Sequence, residues 1–346
     1  MNNRIFWAVL ECAMREHGQI NPPTTVFGSG DVPFGVQSVG VTTTFNLEQI
    51  YQLGQLEIYE NIENLPDIEI ALEKVLDGYA LLYHMCTPTA TDSSLVGRAS
   101  TARTDFAMSV FNETQMGASG TPISEVFCSG LYIGSLTYTF PVEGNCTEAL
   151  TLVGNDKWWS VANWSLMGHM VTGSGTPTEP LVSAGGVQRR ENVLMSACRW
   201  PTELPGISAS GTNDGFEDEG VDAARIQTVT VSTDFGRTDL YELGMRRPYY
   251  KYIDWPIEVT CAIELIGTKG DFINALSSAA SNLSNQYIYI ETDDGTKVNL
   301  GTKNKLASVD FGGADAGGGS NATLSYNYSN WNILKVTHSR DPANLT

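Results

Sequence analysis

The stretch Phe45-Asn-Leu-Glu-Gln-Ile-Tyr51-Gln-Leu53-Gly54 recurs 190 residues later as Phe235-Gly-Arg-Thr-Asp-Leu-Tyr241-Glu-Leu243-Gly244. Phe, Tyr, Leu and Gly are identical at matched positions. The same offset matches Tyr59 with Tyr249 and Pro66 with Pro256. After a one-residue slip, Ile68-Glu69-Ile70 matches Ile257-Glu258-Val259. Self-similarity at a fixed offset is typical of a structural unit that occurs twice in one chain.

Similar predicted elements follow each copy in the same order. Alternating apolar residues predict a strand from residue 68 and another from residue 257. Further strands are predicted at 106–111, 136–140 and 149–152 in the first copy, and at 287–290, 306–311 and 324–328 in the second. A helical spacing covers 272–283, and a weaker one covers 93–103. This parallel order strengthens the case for a duplication.

These patterns predict a mainly β protein with two tandem antiparallel β-sandwich or β-barrel domains, each with one flanking α-helix. We assign 1–36 to an N-terminal arm, 37–155 to the first domain (the first copy) and 223–346 to the second domain (the second copy). A Gly/Pro-punctuated insertion, 156–222, lies between them. Because it holds four tryptophans, we expect it to be packed and not a free linker.

The charge is acidic and uneven. The 346 residues hold 39 Asp+Glu against 20 Lys+Arg, a net charge of −19, which argues against a protein that grips nucleic acid through its phosphates. Residues 46–78 carry eight acids and one base, whereas 236–266 carry five acids and four bases. Glu57 aligns with Arg247, and Asn61 with Lys251. One interpretation is drift on a solvent-exposed face; the other is an attractive contact between the first and second copies.

The sequence holds little that suggests catalysis, so we predict that the chain is not an enzyme and needs no cofactor or metal. None of its four histidines lies in a recognisable Ser or Cys motif. None of its six cysteines lie two to four residues apart, which predicts scattered buried thiols. The short apolar N-terminus and the lack of a long apolar segment predict a cytoplasmically made protein with no membrane span.

Several strings resemble the tail tube (major tail) proteins of tailed bacteriophages. They are 45–54 with 59–67, 136–148 with 152–156, and 225–231 through 242–252. Together they cover roughly 40–160 and 223–266. The resemblance implies β-sandwich-like, tube-like domains flanked by a helix, whose rings stack into the hollow tube through which the genome leaves the capsid.

Tube subunits of this family ordinarily have one such domain and form hexamers. A duplicated domain therefore favours a trimeric ring over a hexameric one. The resemblance also implies partners among the other tail proteins, such as sheath, terminator and baseplate, and DNA that passes through the lumen without specific binding. It places the chain in the virion tail, assembled in the host cytoplasm.

The repeat and the acidic run supply the candidate site residues. Those expected at subunit interfaces are Tyr51, Leu53, Gly54, Tyr59, Pro66, Tyr241, Leu243, Gly244, Arg246, Arg247, Tyr249, Lys251 and Pro256. Those expected on the lumen or an acidic face are Glu57, Glu60, Glu63, Asp67, Glu69 and Glu73.

Two alternatives stay open. One is another tail component on the same fold, such as a terminator, baseplate or decoration protein. The other is a carbohydrate-binding or hydrolytic β-sandwich protein, in which Trp158 and Trp159 form a sugar platform and paired carboxylates act as acid and base.

Overall fold

The chain is described here from a computed structural model. It describes residues 5, 10–22, 24–87, 99, 101–112, 122–160, 166, 186–213, 223–268, 270–271, 273, 283–312 and 321–340.

Seventeen strands and one short α-helix have both of their bounds in this part of the chain. Strand β1 (Leu10–Glu16) lies in the N-terminal arm. The first-copy strands are β2 (Val36–Thr44), β3 (Leu47–Tyr51), β4 (Ile58–Glu63), β5 (Asp67–Val75), β6 (Thr104–Val110), β7 (Ser124–Pro141) and β8 (Thr147–Gly154), with helix α1 (Leu82–Cys86) after β5. Strand β9 (Lys157–Ser160) follows β8 at the start of the insertion. The second-copy strands are β10 (Ile226–Asp234), β11 (Arg237–Leu240), β12 (Tyr250–Ile253), β13 (Glu258–Ile266), β14 (Gln286–Glu291), β15 (Lys297–Gly312), β16 (Thr323–Trp331) and β17 (Lys335–Thr337).

One antiparallel sheet runs through both copies. Its strand order is β2-β5-β8-β7-β10-β13-β16-β15-β14. The first four strands belong to the first copy, and β10-β13-β16-β15 repeat their order in the second. The two sets meet where β7 pairs with β10, with Thr139 opposite Thr230.

The long strands β7 and β15 bend from this sheet into a second layer. The first part of β7 pairs with β6 and β9, and β6 pairs in turn with β1. The first part of β15 pairs with β14 and β17. Both ladders have a bulge at matched places, between Ile133 and Ser135 and between Leu306 and Ser308. The apolar core fills the space between the layers and is continuous across both copies.

The mainly β class and the predicted strands are confirmed. The predicted separation into two sandwiches is wrong in one respect: β7 and β10 hydrogen-bond side by side, so a single sheet and core join the copies. Most of the sequence in the predicted helices at 93–103 and 272–283 lies outside the described residues, although Ala99 and Thr101 within the first are helical. The helix α1, whose bounds both lie within the described residues, has five residues and was not predicted.

The predicted slip after the repeat has the wrong direction. Thr44 pairs with Asp67, whereas Thr233 pairs with Val259, which puts Glu258 opposite Asp234. Ile68 therefore corresponds to Val259 and not to Ile257. The second copy gains a residue before its strand, and the alternation of apolar residues conceals the error because a slip of two positions preserves the pattern.

The segment 186–213 of the insertion is packed, as expected, and it contacts both copies. Gln188 N–H donates to the carbonyl of Leu76 at 2.7 Å in the first copy, and Arg199 N–H donates to the carbonyl of Tyr289 at 2.8 Å in the second. All six cysteines are buried and unpaired, as predicted. Within the described ranges, no helix has the length and apolar character needed to span a bilayer.

Candidate functional site: the open sheet face and its two hairpins

The eight strands from β2 to β15 have one face toward the core and one toward solvent, which we call the open face. Small polar side chains dominate it. One row runs across all eight strands in register, through Ser38, Glu73, Ala149, Thr137, Ser232, Thr260, Ser329 and Lys305. Threonine and serine suit a pleated surface of this kind, and alternate residues supply the apolar core on the reverse side.

The open face is acidic. Asp67, Glu69 and Glu73 lie on it in β5, and all three are exposed. The other carboxylates on this face belong to β10, β13 and β15 and are Asp234, Glu258, Glu264 and Asp310. The remaining predicted acidic-face residues, Glu57, Glu60 and Glu63, lie elsewhere, in or next to β4 in the first hairpin. The structure therefore divides the six predicted acids into two groups.

Each copy projects one two-stranded hairpin beside the sheet. The first is β3–β4 and the second is β11–β12. Their registers agree at the 190-residue offset: Leu47 pairs with Glu63 and Ile50 with Glu60, as Arg237 pairs with Ile253 and Leu240 with Tyr250. Gly54 and Gly244 occupy matched turns with φ of 89° and 88°, a conformation that favours glycine.

The second hairpin is anchored on the first copy through Arg237. Its Nε donates to the carbonyl of Ile133 at 3.0 Å, and Nη2 donates to the carbonyl of Ala99 at 2.7 Å. The guanidinium lies 5.0 Å from the centre of the Tyr132 ring, a cation–π distance. Burial lowers the pKa of Arg237 to about 10, and burial likewise raises the pKa of Tyr132.

Aromatic packing completes this anchor. The rings of Tyr132 and Tyr250 meet edge-on, with centroids 5.9 Å apart. Phe235, at the start of the hairpin, is fully buried, and its N–H donates to the carbonyl of Gly134 at 2.8 Å. A groove of about 560 Å³ remains between this hairpin and the open face, and it is lined by residues that include Asp67, Glu69, Asp234 and Lys251.

The three predicted basic interface residues have different roles within the chain. Arg247 forms an ion pair at 2.9 Å with Asp156, the residue directly after the first copy, and Arg246 Nη2 donates to the carbonyl of Glu63 in the first copy at 3.2 Å. These contacts join the basic hairpin to the acidic first copy. Lys251 is buried and pairs with Asp239 of its own hairpin at 2.6 Å. Its ammonium group is thus already paired inside the chain, and its predicted role at a subunit interface stays a prediction.

The first hairpin has no such anchor among the described residues. Every residue of β3 and β4 is exposed. Phe45, which matches the buried Phe235, is 69% exposed, against 0% for Phe235. The large exposed side chains of this hairpin are Leu47, Ile50, Tyr51, Leu53, Leu56, Ile58, Tyr59 and Ile62. An apolar patch of this extent is unusual on a monomer and indicates an interaction surface.

The other predicted interface residues lie at the hairpin tips or bases. Tyr51, Leu53, Tyr59, Tyr241, Leu243 and Tyr249 are all exposed. Pro66 is half-buried at the base of the first hairpin, where its carbonyl accepts a hydrogen bond from Asn155 Nδ2 at 2.8 Å. Pro256 is exposed at the matched place in the second copy. These positions are consistent with contacts to a neighbour but do not test them.

The edges of the eight-stranded sheet are β2 and the second part of β15. Among the described residues, neither has a partner on its outer side. Val41 of β2 is half-buried, and Phe311 of β15 is 55% exposed. The matched residues at the internal β7–β10 junction, Val231 and Tyr138, are opposite each other and fully buried.

One polar cluster is not apparent from the sequence. His17 Nδ1 and Ser129 Oγ lie 2.8 Å and 2.9 Å from Asp105 Oδ1, and Gly18 N–H donates to the same buried carboxylate. Asp105 and Ser129 both lie at Nδ1 of the His17 ring, whereas in a nucleophile–base–carboxylate relay the nucleophile and the carboxylate meet opposite ring nitrogens. Asp105 instead links the end of β1, the start of β6 and the middle of β7.

Two further features bear on the alternatives. Trp158 stacks on Phe127 with centroids 5.8 Å apart, so one face of its ring is covered, while Trp159 is exposed. In the described part of the chain, no group of three or more His, Cys, Asp or Glu side chains is arranged to hold a metal ion.

No protein-family model and no curated protein sequence matches this chain. Solved structures that show a limited likeness include two from one particle. One is the cap that terminates the tube of the anti-feeding prophage, which is 14% identical, with 47% of this chain covering 94% of that one at a TM-score of 0.33. The other is the baseplate of the anti-feeding prophage, also 14% identical, with 46% of this chain covering 97% of that one at a TM-score of 0.33.

Proposed function

We propose that the chain is a structural building block of a phage tail tube, and that copies of it close into a ring whose lumen is lined by the open face. The observation that carries this proposal is the eight-stranded sheet with an acidic, hydroxyl-rich face and two unpaired edges in its described residues. Unpaired edges add strands from another chain unless they are blocked, and closure into a barrel removes them. The resemblance of the sequence to tail tube proteins supports the same assignment.

The geometry of closure favours three chains. With strands about 4.8 Å apart and tilted by about 35 to 45°, the twenty-four strands of three chains form a backbone cylinder roughly 45 to 50 Å across. Two chains give roughly 30 to 35 Å, which inward side chains narrow to a channel of porin size, and six give roughly 90 to 100 Å. The three-chain cylinder is the one whose channel suits a DNA duplex without a large surplus of space.

The open face has the chemistry that a DNA channel needs. Each Lys or Arg on the wall would attract phosphates independently of sequence and slow the passage of the duplex. Carboxylates such as Glu69, Glu73 and Asp234 repel the duplex, and neutral hydroxyls let it move. The acidity that argues against nucleic-acid binding is therefore the property that keeps DNA mobile in a channel. The role is structural, with no catalytic step and no cofactor.

The test is electron microscopy of the purified chain, with its mass measured in parallel. We expect rings or stacked tubes with a central hole and a mass of three chains. A protein that stays monomeric at all concentrations, or that forms solid aggregates, would overturn the proposal. A monomer stabilised by oligosaccharide would favour the sugar-binding alternative with Trp159 in its platform.

The lumen assignment has a separate test. Replacing Glu69, Glu73 and Asp234 together by Lys should leave rings intact and give them salt-sensitive binding to duplex DNA, which the unmodified rings should lack. The matched comparison is Glu69→Lys with Glu73→Lys against Glu57→Lys with Glu63→Lys, because the second pair makes the same charge change off the open face. Equal DNA binding by both variants would contradict the assignment.

A further inference from the structure

We infer that the junction between β7 and β10 inside the chain is the template for the junction between chains, so that the first hairpin and β2 of one chain dock on β15 of a second copy. The inference rests on the proposed ring. It adds the partner surface, the register and a specific charged pair, which the existence of a ring does not supply.

The ladders fix which residues correspond. The bulges in β7 and β15 lie at matched places. When the two strands are aligned on these bulges, Tyr132 corresponds to Lys305, Gly134 to Ala307, Thr137 to Asp310 and Tyr138 to Phe311. The hairpins correspond at the 190-residue offset throughout. Every contact inside the junction therefore predicts one contact between chains.

The strand register follows directly. Inside the chain, Thr137 pairs with Ser232 and Tyr138 with Val231. Between chains, Asp310 should then pair with Thr42, and Phe311 with Val41. This pairing buries the exposed Phe311 ring against Val41, as Tyr138 is buried against Val231.

The hairpin contacts follow in the same way. Phe235 is buried with its N–H on the carbonyl of Gly134. Phe45 should therefore become buried in the second chain, with its N–H on the carbonyl of Ala307. That contact covers Phe45, which is 69% exposed, whereas its counterpart Phe235 is 0% exposed.

One substituted pair is complementary in charge, which favours a copy of the chain as the occupant. Tyr132 and Tyr250 meet inside the chain, and their counterparts are Lys305 and Glu60. The aromatic pair is thus replaced by a cation and an anion at matched positions. Both side chains are exposed, and Lys305 Nζ donates to the carbonyl of Leu283 at 2.6 Å, which leaves two ammonium protons for Glu60.

Disulfide trapping tests the register. A chain carrying Thr42→Cys and Asp310→Cys should crosslink to a closed three-chain species under mild oxidation, because directly opposed Cβ atoms approach within disulfide reach. The control chain carries Thr42→Cys and Ser308→Cys, whose diagonal Cβ separation of about 7 to 8 Å is too long. We expect at least tenfold more crosslinking in the first chain; the native cysteines are buried and do not compete.

Charge exchange tests the pair. Glu60→Lys alone and Lys305→Glu alone should each weaken assembly about tenfold, and the double exchange should restore it. Glu73→Lys, the same charge change on the open face, is the control and should assemble normally. If rings form but neither the crosslink nor the rescue appears, the inference fails while the proposed function stands. If no rings form in the unmodified chain, the proposed function itself fails.

Discussion

The two hairpins have one backbone design and opposite environments. β3–β4 and β11–β12 share register, turn glycine and offset, yet Phe235 is buried and Phe45 is 69% exposed. The difference lies in the neighbouring surface. The second hairpin packs against the first copy, whereas the described chain holds no equivalent surface for the first hairpin. The apolar side chains of the first hairpin are exposed for this reason. Under the inference above, a second copy of the chain supplies the equivalent surface.

The largest expected effect comes from the matched phenylalanines. Phe235→Ala should destabilise the chain by about 3 to 5 kcal/mol, because a fully buried ring is lost. Phe45→Ala should change the free energy of unfolding by less than about 0.5 kcal/mol in the monomer. Urea unfolding of dilute protein measures both. A similar loss for the two variants would show that the hairpins are equivalent within the chain.

Arg237→Leu makes the second hairpin resemble the first, where Leu47 is the matched residue. It should cost about 2 to 3 kcal/mol, because the carbonyls of Ile133, Lys251 and Ala99 lose a charged donor. The reverse change, Leu47→Arg, is the control and should leave unfolding unaltered. If Arg237→Leu is neutral, the anchor is apolar packing alone.

The aromatic contact should be smaller still. A double-mutant cycle on Tyr132 and Tyr250 should give a coupling of about 0.5 to 1.5 kcal/mol in the monomer. The same cycle on Lys305 and Glu60 should give none until the chain assembles. Coupling in the monomeric Lys305–Glu60 cycle would mean that the two side chains already meet within one chain.

The smallest effect is expected from Arg247→Ala. The Arg247 side chain is 63% exposed in its ion pair with Asp156, so loss of the pair should lower the free energy of unfolding by at most about 1 kcal/mol. The loss should shrink as salt is added, since exposed charges are screened. The free energy of unfolding of the variant and of the unmodified chain, measured in low and in high salt, gives this dependence. A loss that does not change with salt would point to packing of the aliphatic part of the arginine side chain instead.

Local pattern predicted much of the fold. The alternation in β5 and β13 and the turn glycines are visible in short stretches of sequence. The repeat is visible as matching residues 190 positions apart. The direction of the slip before β13 did not, because shifting a strand by two residues preserves which side chains face the core. Likewise, nothing local distinguishes Lys251, buried on Asp239, from the exposed Arg247 four residues earlier.

By itself, the sequence determined a mainly β chain with a repeated unit, a strongly acidic surface and buried, unpaired thiols, because these depend on composition and on short-range periodicity. Only the tertiary structure decided that both copies share one sheet, that Asp67, Glu69 and Glu73 line its open face while Glu57, Glu60 and Glu63 belong to the hairpin, and that one of two matched hairpins is covered. Those outcomes depend on pairing between strands roughly ninety residues apart, and strand pairing at that distance is set by the packing of the whole core.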